Sequence, residues 1–331
     1  MRRFERLRVE LKKKVDKRKL VVAPGAYDAL TARVVEKAGF EAVYMTGHGT
    51  GAGMLAWTDV GMTTMTEMVG NARNICNAVN LPVIADMDTG FGNAVNVIRA
   101  VREYEQAGVA AFHMEDQVTP KKCGFMKGKI CIPMEEMVGK IKAAVEARED
   151  PNLLIIVRCD ARAPLGAEEL YKRCRVYLDA GADVIFPEAP LTPEDIKQDS
   201  KWGKANKVPL LLNGVRYGLD IKEIAELGFA ILILPAIAFS VTPKAVYDVL
   251  MDLKNTGKYP DLVQDGRAFP WEQVQELLRL PEVIEYEEKF LPKEERMARW
   301  GSEEVPGDYF RGRGLDYKPK GKKTKKSKKD L

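Results

Sequence analysis

AGVAAFHMED (residues 107–116) sets the pattern of the whole chain: a helical run stops at Gly108, and a short apolar strand starts almost at once and closes on polar residues. Glycine suits the left-handed C-cap of a helix, so the stretch reads as helix, tight turn, strand. The same junction recurs at Ala38-Gly39-Phe40, Ala180-Gly181-Ala182 and Leu227-Gly228-Phe229. Working outward, strands are predicted at 20–25, 42–47, 82–89, 110–116, 153–161, 183–189, 208–214 and 229–235. Amphipathic stretches at 29–38, 63–79, 95–107, 133–148, 167–180 and 220–227 separate them. The strands are apolar without strict alternation, as in a parallel sheet covered by helices. Eight βα units in roughly 240 residues predict a (β/α)8 barrel, an α/β fold of the TIM type. An open doubly wound sheet would call for G-x-G-x-x-G after the first strand, and none stands there.

The expected organisation is a basic amino-terminal helix or arm at 1–19, the barrel at 20–257, a helical extension at 258–310 and a Lys-rich tail at 311–331. The net charge of +4 hides a strong asymmetry. Residues 1–19 carry ten Lys/Arg against three Asp/Glu, and residues 311–331 ten against two, so the body between them is acidic. An acidic body with basic ends is not the pattern of a nucleic-acid-binding fold. The run KPKGKKTKKSKK (318–329) reads as a solvated, disordered tail, with weak RNA or polyanion binding as the lesser reading. No run approaches the roughly 18 apolar residues of a membrane span, and the amino terminus lacks a signal peptide's apolar core. A soluble, cytoplasmic protein is expected. Five scattered cysteines and two histidines, with no C-x-x-C, argue against a zinc site and suit free thiols in a reducing compartment.

Barrel chemistry sits at the carboxyl ends of the strands, where inward-facing side chains repeat every second residue. Those ends carry Tyr44 and Thr46, then Gly47-His48-Gly49, Asp86 and Asp88, His113 and Glu115, Arg158 and Asp160, Glu188, and Asn213. Asp86 and Asp88, spaced i, i+2, are expected on one face of one strand, where unpaired like charges repel. A hard divalent cation removes that repulsion, and Glu115 on the next strand can complete the set. Mg2+ is the expected ion, with Mn2+ as an alternative; an ion-paired or helix-capping aspartate couple is the competing reading. Arg158 is either a counter-ion of that cluster or a planar fork for a substrate carboxylate, and the second is preferred. The glycine-flanked turn at 46–49 can offer backbone N–H groups to an oxyanion. His48 is a candidate neighbour of the site, and His113 reads equally as a core or a catalytic histidine.

The segment DQVTPKKCGFMKGKICIP (116–133) is long for a βα loop and suggests a mobile lid. Cys123 in it is flanked by Lys121 and Lys122, and adjacent cations are expected to lower its pKa and make it a competent proton donor and acceptor.

The stretches PGAYDAL (24–30), YMTG (44–47), TDVGMTTMTEM (58–68), DMDTGFG (86–92), HMEDQ (113–117), PKKCG (120–124), RCDA (158–161) and AGADVIFPEA (180–189) together resemble the isocitrate lyase / phosphoenolpyruvate mutase superfamily over about residues 20–250. The resemblance implies a barrel whose eighth helix is exchanged between partners in homodimers or homotetramers. It implies Mg2+ held by Asp86, Asp88 and Glu115 with Asp59 nearby, and a pyruvate-like substrate portion against Thr46, Gly47 and Arg158. Members that cleave carbon–carbon bonds carry K-[KR]-C-G in the lid, as Lys121-Lys122-Cys123-Gly124 does here, and the cysteine protonates the departing enolate. The length resembles short members such as 2-methylisocitrate and dimethylmalate lyases. The implied activity is Mg2+-dependent cleavage of a substituted malate or 2-alkylisocitrate to a 2-oxo acid, with Tyr44 a candidate base and Gly124, Glu188 and Asn213 candidate substrate contacts. A phosphonomutase, or an oxaloacetate hydrolase or decarboxylase, is the alternative. Three departures bear on specificity: Phe125 replaces the lid's usual histidine, Thr46 a serine, and Arg216 a glutamate. Phe125 would suit an alkyl group, whereas Arg216 suits a second carboxylate.

Overall fold

A computed structural model describes residues 1–215 and 218–301. Arg216 and the Lys-rich tail lie outside the described residues. The chain divides into two compact units, Met1–Gly257 and the segment from Lys258 onward.

In the first unit the order is α1 (Arg3–Asp16), β1 (Val21–Ala26), α2 (Ala29–Lys37), β2 (Val43–Met45), α3 (Gly47–Leu55), α4 (Met65–Ala78), β3 (Val83–Asp86), α5 (Ala94–Ala107), β4 (Ala111–Glu115) and α6 (Met134–Ala147). There follow β5 (Leu154–Cys159), α7 (Arg162–Leu165), α8 (Ala167–Asp179), β6 (Val184–Pro187), α9 (Pro193–Ala205), β7 (Leu211–Asn213), α10 (Ile221–Leu227), β8 (Ile231–Leu234) and α11 (Ile237–Thr256). The second unit holds α12 (Trp271–Leu277), α13 (Leu280–Phe290) and α14 (Lys293–Trp300). No helix among the described residues is long and apolar enough to cross a membrane.

All eight predicted strands form, all pairings between them are parallel, and the order is β6-β5-β4-β3-β2-β1-β8-β7. A parallel bridge from Ile185 to Leu210 draws the two outer strands together, so the sheet closes into the (β/α)8 barrel. Period two divides each strand between two cores. Val83, Ala85, Phe112, Met114, Ile155 and Val157 face the helices. Val21, Ala23, Tyr44, Ile84, Ala111, Leu154, Ile156 and Phe186 fill the barrel. Helix α1 joins that inner core: Leu11 and Val15, one turn apart on its apolar face, pack with the residues at the starts of the strands and stopper the amino-terminal mouth. Arg8 from the same helix secures it, donating to the Val109 carbonyl at 2.9 Å.

Two helices escape the hydrophobic periodicity. Helix α3 (GHGTGAGML) contains four glycines and is a poor helix former, yet it forms behind the N-cap of Thr46, whose Oγ accepts the Gly49 N–H at 3.2 Å. The glycine turn expected at 46–49 is therefore a helix start. Helix α9 follows a capping box at Thr192 and Asp195 with proline in its first turn.

Candidate active site

At the carboxyl end of the barrel the inner positions change from apolar to polar along each strand: Ile84 gives way to Asp86, Ala111 to His113 and Glu115, Ile156 to Arg158 and Asp160, Phe186 to Glu188, and Leu211 to Asn213. Asp86, His113 and Glu115 present one ligand atom each within 4.8 Å of one another, all buried. Asp88 departs from the expected placement. Strand β3 ends at Asp86, and Asp88 takes φ 47°, its N–H donating to Asp86 Oδ1 at 2.9 Å. That Asx-type turn swings the Asp88 carboxylate away from the strand face and onto Lys121 Nζ at 2.9 Å. Lys121 also reaches Asp59 Oδ1 at 2.5 Å, so this lid ammonium stands between Asp59 and Asp88. Asp59 itself groups with His48 and Cys123 rather than with Asp86 and Glu115.

The electrostatics are those of buried acids in conflict. Burial pushes Glu115 well above the usual carboxylate range, outweighing Arg158 Nη1 at 3.2 Å and Lys121. Burial and the Asp86 charge raise Asp88 to about 6 against the pull of Lys121. Burial also opposes ionisation of Asp86, but His113, Lys121 and the Asp88 N–H prevail and hold it at about 2. Glu115 Oε2 accepts no well-directed hydrogen bond among the described residues, and its one cationic neighbour is Arg158 Nη1 at 3.2 Å. A cluster of buried carboxylates whose burial and mutual repulsion oppose ionisation fits a hard divalent cation, which would relieve both.

Around the cluster, Tyr44 Oη lies 2.8 Å from His113 Nε2 and 3.3 Å from Asp86 Oδ2. Burial lowers His113 to about 4 and raises the Tyr44 phenol well above its ordinary value, so the imidazole is neutral, while the phenol donates to Asp86 Oδ2. Gly47 opens α3 directly against Asp86, where a Cβ would fall 2.7 Å from Asp86 Cγ. Thr46 occupies the Gly49 N–H, which leaves the N–H groups of Gly47 and His48 as helix-end donors. Arg158 is held edge-on by Asp160, with Nε and Nη2 donating at 2.9 and 3.0 Å. A cavity of about 480 Å³ opens beside Asp88 and Lys121, lined also by Thr64, Thr89, Asn96 and Thr119.

The lid is folded down. Gln117 and Cys131 form an antiparallel bridge at its base, and Gln117 Nε2 donates to Glu115 Oε1 at 3.1 Å and to the Lys122 carbonyl at 2.9 Å. The Cys123 N–H donates to the Asp59 carbonyl at 3.0 Å. Lys129 Nζ donates to the Gly124 carbonyl at 2.8 Å and to Asp160 at 2.9 Å. Gly124 touches Glu188 and Arg158 so closely that a Cβ would land on Glu188 Oε1. Glu188 in turn accepts from Asn213 Nδ2 at 3.4 Å. Two expectations about the lid fail. Cys123 is 8% exposed, and burial raises its thiol pKa despite the flanking lysines, because Lys121 spends its charge on Asp59 and Asp88. Phe125 is 58% exposed, not packed against the centre as a closed alkyl pocket would require. Gln117, which ties the lid to Glu115, lay in the HMEDQ stretch without being singled out, and Lys129, which ties it to Asp160, carried no sequence signal beyond lying in a polar loop.

Fold and site together define a barrel enzyme with an acidic, arginine-flanked centre beneath a cysteine-bearing lid. A family model described as phosphoenolpyruvate phosphomutase matches residues 11–254, and the chain belongs to that family. It is 50% identical over 239 residues to 2,3-dimethylmalate lyase of Eubacterium barkeri, covering 72% of this chain and 83% of that protein. It is 42% identical over 264 residues to 2-methylisocitrate lyase of Aeropyrum pernix, covering 78% and 84%. Phosphonopyruvate hydrolase in complex with oxalate and Mg2+ superposes with a TM-score of 0.78 at 33% identity, covering 86% of this chain and 99% of that one. Within the family the chain sides with the carbon–carbon lyases.

Proposed function

We propose that this enzyme is a Mg2+-dependent lyase that cleaves a substituted malate or a 2-alkylisocitrate-type hydroxy acid to a pyruvate-like 2-oxo acid and a carboxylic acid. The observation that carries the reading is the lid seated on Arg158 and Glu188, which buries a protonated Cys123 thiol among Asp59, Arg158 and Lys121 at the rim of the acidic centre. Asp86 and Glu115, with Asp88 and Asp59 adjoining, would hold the ion, which when bound supplies Lewis-acid polarisation of the substrate's carboxylate and hydroxyl oxygens.

The protein's own groups do the rest. Arg158, braced by Asp160, offers Nη1 to the substrate carboxylate. Tyr44 takes the hydroxyl proton as its own passes along its hydrogen bonds to Asp86 Oδ2 and His113 Nε2, so no free phenolate is required. The bond from the hydroxyl-bearing carbon to its neighbour breaks, the hydroxyl carbon becomes the oxo carbon, and the bonding pair moves into an enolate. The Cys123 thiol gives its proton to the enolate carbon, and its raised pKa keeps that proton in place until it is needed. Water is kept out by the lid, which Lys129 and Gln117 hold down. Helix α11 buries none of its residues and exposes Val241, Tyr247 and Leu250, which supports its exchange with a second copy in a homodimer or homotetramer.

Cys123→Ser is expected to lower turnover at least about 100-fold with Mg2+ binding intact, since a serine hydroxyl is a far weaker acid than a thiol. Near-normal turnover would remove the lyase assignment. Incubation with alkylmalates, alkylisocitrates, oxaloacetate and phosphonopyruvate, each with Mg2+, separates this reaction from hydrolase or mutase chemistry.

A further inference from the structure

Lys121 splits the acids of the site into two groups, and the group on its far side has a different chemistry. There His48, Asp59 and Cys123 each bring one ligand atom within 4.8 Å of the other two. We propose that these three residues form a second cation site, selective for borderline-soft divalent ions of the zinc and cadmium class, and that filling it takes the lid thiol out of service.

The donor set is one imidazole nitrogen, one carboxylate oxygen and one sulfur. Mg2+ avoids such a set, whereas tetrahedral zinc chemistry uses it. The two histidines and scattered cysteines hid it from the sequence, because its members come from three separate segments. His48 lies in the first turn of α3, Asp59 in the loop before α4, and Cys123 in the lid. The backbone already joins two of them through the Cys123 N–H and the Asp59 carbonyl at 3.0 Å. Asp59 gives Oδ1 to Lys121 and keeps its second oxygen. The His48 ring lies 4.6 Å from Phe239, and its nitrogens make no hydrogen bond among the described residues. Donors around tetrahedral zinc stand about 3.6 Å apart, so the cluster needs to contract by at most about 1 Å, a displacement within reach of side-chain rotation. The Lys121 charge opposes a second cation, but Asp88 at 2.9 Å shares it.

Binding converts the Cys123 thiol to a metal-held thiolate and releases its proton to solvent. The thiol then has nothing to deliver, and the ion ties the lid to α3. The site itself stands apart from the lyase reading; only the loss of turnover rests on it.

The test uses the full chain with Cd2+ alone as the probe. Two readouts are followed: the thiolate-to-metal charge-transfer band in the ultraviolet, and alkylation of Cys123 by iodoacetamide scored by peptide mass. The expected result is one Cd2+ per chain, protection of Cys123, no displacement by excess Mg2+, loss of the band in Cys123→Ser, and at least tenfold weaker binding in His48→Ala and Asp59→Asn. A band that survives Cys123→Ser, an unprotected Cys123, or unchanged affinity in His48→Ala overturns the site. Should His48→Ala lose its fold, His48→Phe, which keeps a ring without the donor, gives the same decision. Zn2+ added to the active enzyme should inhibit it, and a chelator that takes Zn2+ but leaves Mg2+ should restore it. Cd2+ binding as described without inhibition leaves the site standing and counts against Cys123 as the proton donor.

Discussion

Gly124→Ala tests whether the seated lid is the working state. A Cβ at this position would land on Glu188 Oε1 and lie 2.8 Å from both Glu188 Cδ and Arg158 Nη2. Glu188 cannot readily step aside: it is 1% exposed, and Asn213 donates to the oxygen that would be struck. The lid must lift instead, breaking the bond from Lys129 Nζ to the Gly124 carbonyl and loosening the one from Cys123 N–H to the Asp59 carbonyl. A hydrogen bond with a charged donor contributes about 1.5–3 kcal/mol and a neutral one about 0.5–1.5 kcal/mol. Their joint loss of about 2–4 kcal/mol corresponds to a drop of roughly 30- to 1000-fold in kcat/KM. The barrel core lies elsewhere, so at about 2 °C per kcal/mol the melting temperature should fall by no more than about 8 °C. The assay is steady-state production of the 2-oxo acid beside a thermal melt of the same sample. A kcat/KM within threefold of wild type would refute the reasoning, and a fall in melting temperature well beyond about 8 °C would assign Gly124 to the fold instead.

Lys129→Met strips Asp160 of one of its two cationic partners inside the protein, and breaking a buried pair costs about 3–5 kcal/mol. The melting temperature should fall by roughly 6 °C or more, at about 2 °C per kcal/mol, and a change under 1 °C would show the pair to be energetically neutral. Metal affinity should rise with pH. Burial raises Asp88 to about 6 and lifts Glu115 well above its ordinary range, so both carboxyls tend to hold protons as the pH falls, and a bound cation must displace them. Mg2+ affinity is therefore expected to weaken as pH falls from 8 toward 6, by up to about tenfold per unit for each proton displaced. Titration calorimetry in buffers of different ionisation enthalpy reads the proton release, and a flat profile would contradict the buried-acid account.

The barrel was legible because its signals are local. Apolar runs of strand length and helices halted by Gly39, Gly108, Gly181 and Gly228 act within a few residues, and all four glycines take positive φ. The polar strand ends were legible for the same reason: period two carries Ile84 to Asp86 and Ile156 to Arg158 whatever surrounds them. Helix α3 was missed because its glycines argue against a helix, and only packing and the Thr46 cap overrule them.

Burial and long-range pairing needed the tertiary structure. Lys121 and Lys122 beside Cys123 suggested a lowered thiol pKa, but Lys121 turns to Asp59, 62 positions away, and the closed lid dries the sulfur instead. Asp86 and Asp88 suggested a shared strand face, until one left-handed residue sent Asp88 to the lid. Sequence alone thus determined the strands, the inward polar positions and the lid's extent, since backbone periodicity and turn chemistry are set by near neighbours. The fold decided which charge meets which and how much water each retains, because electrostatic energy depends on distances and desolvation that no residue spacing encodes.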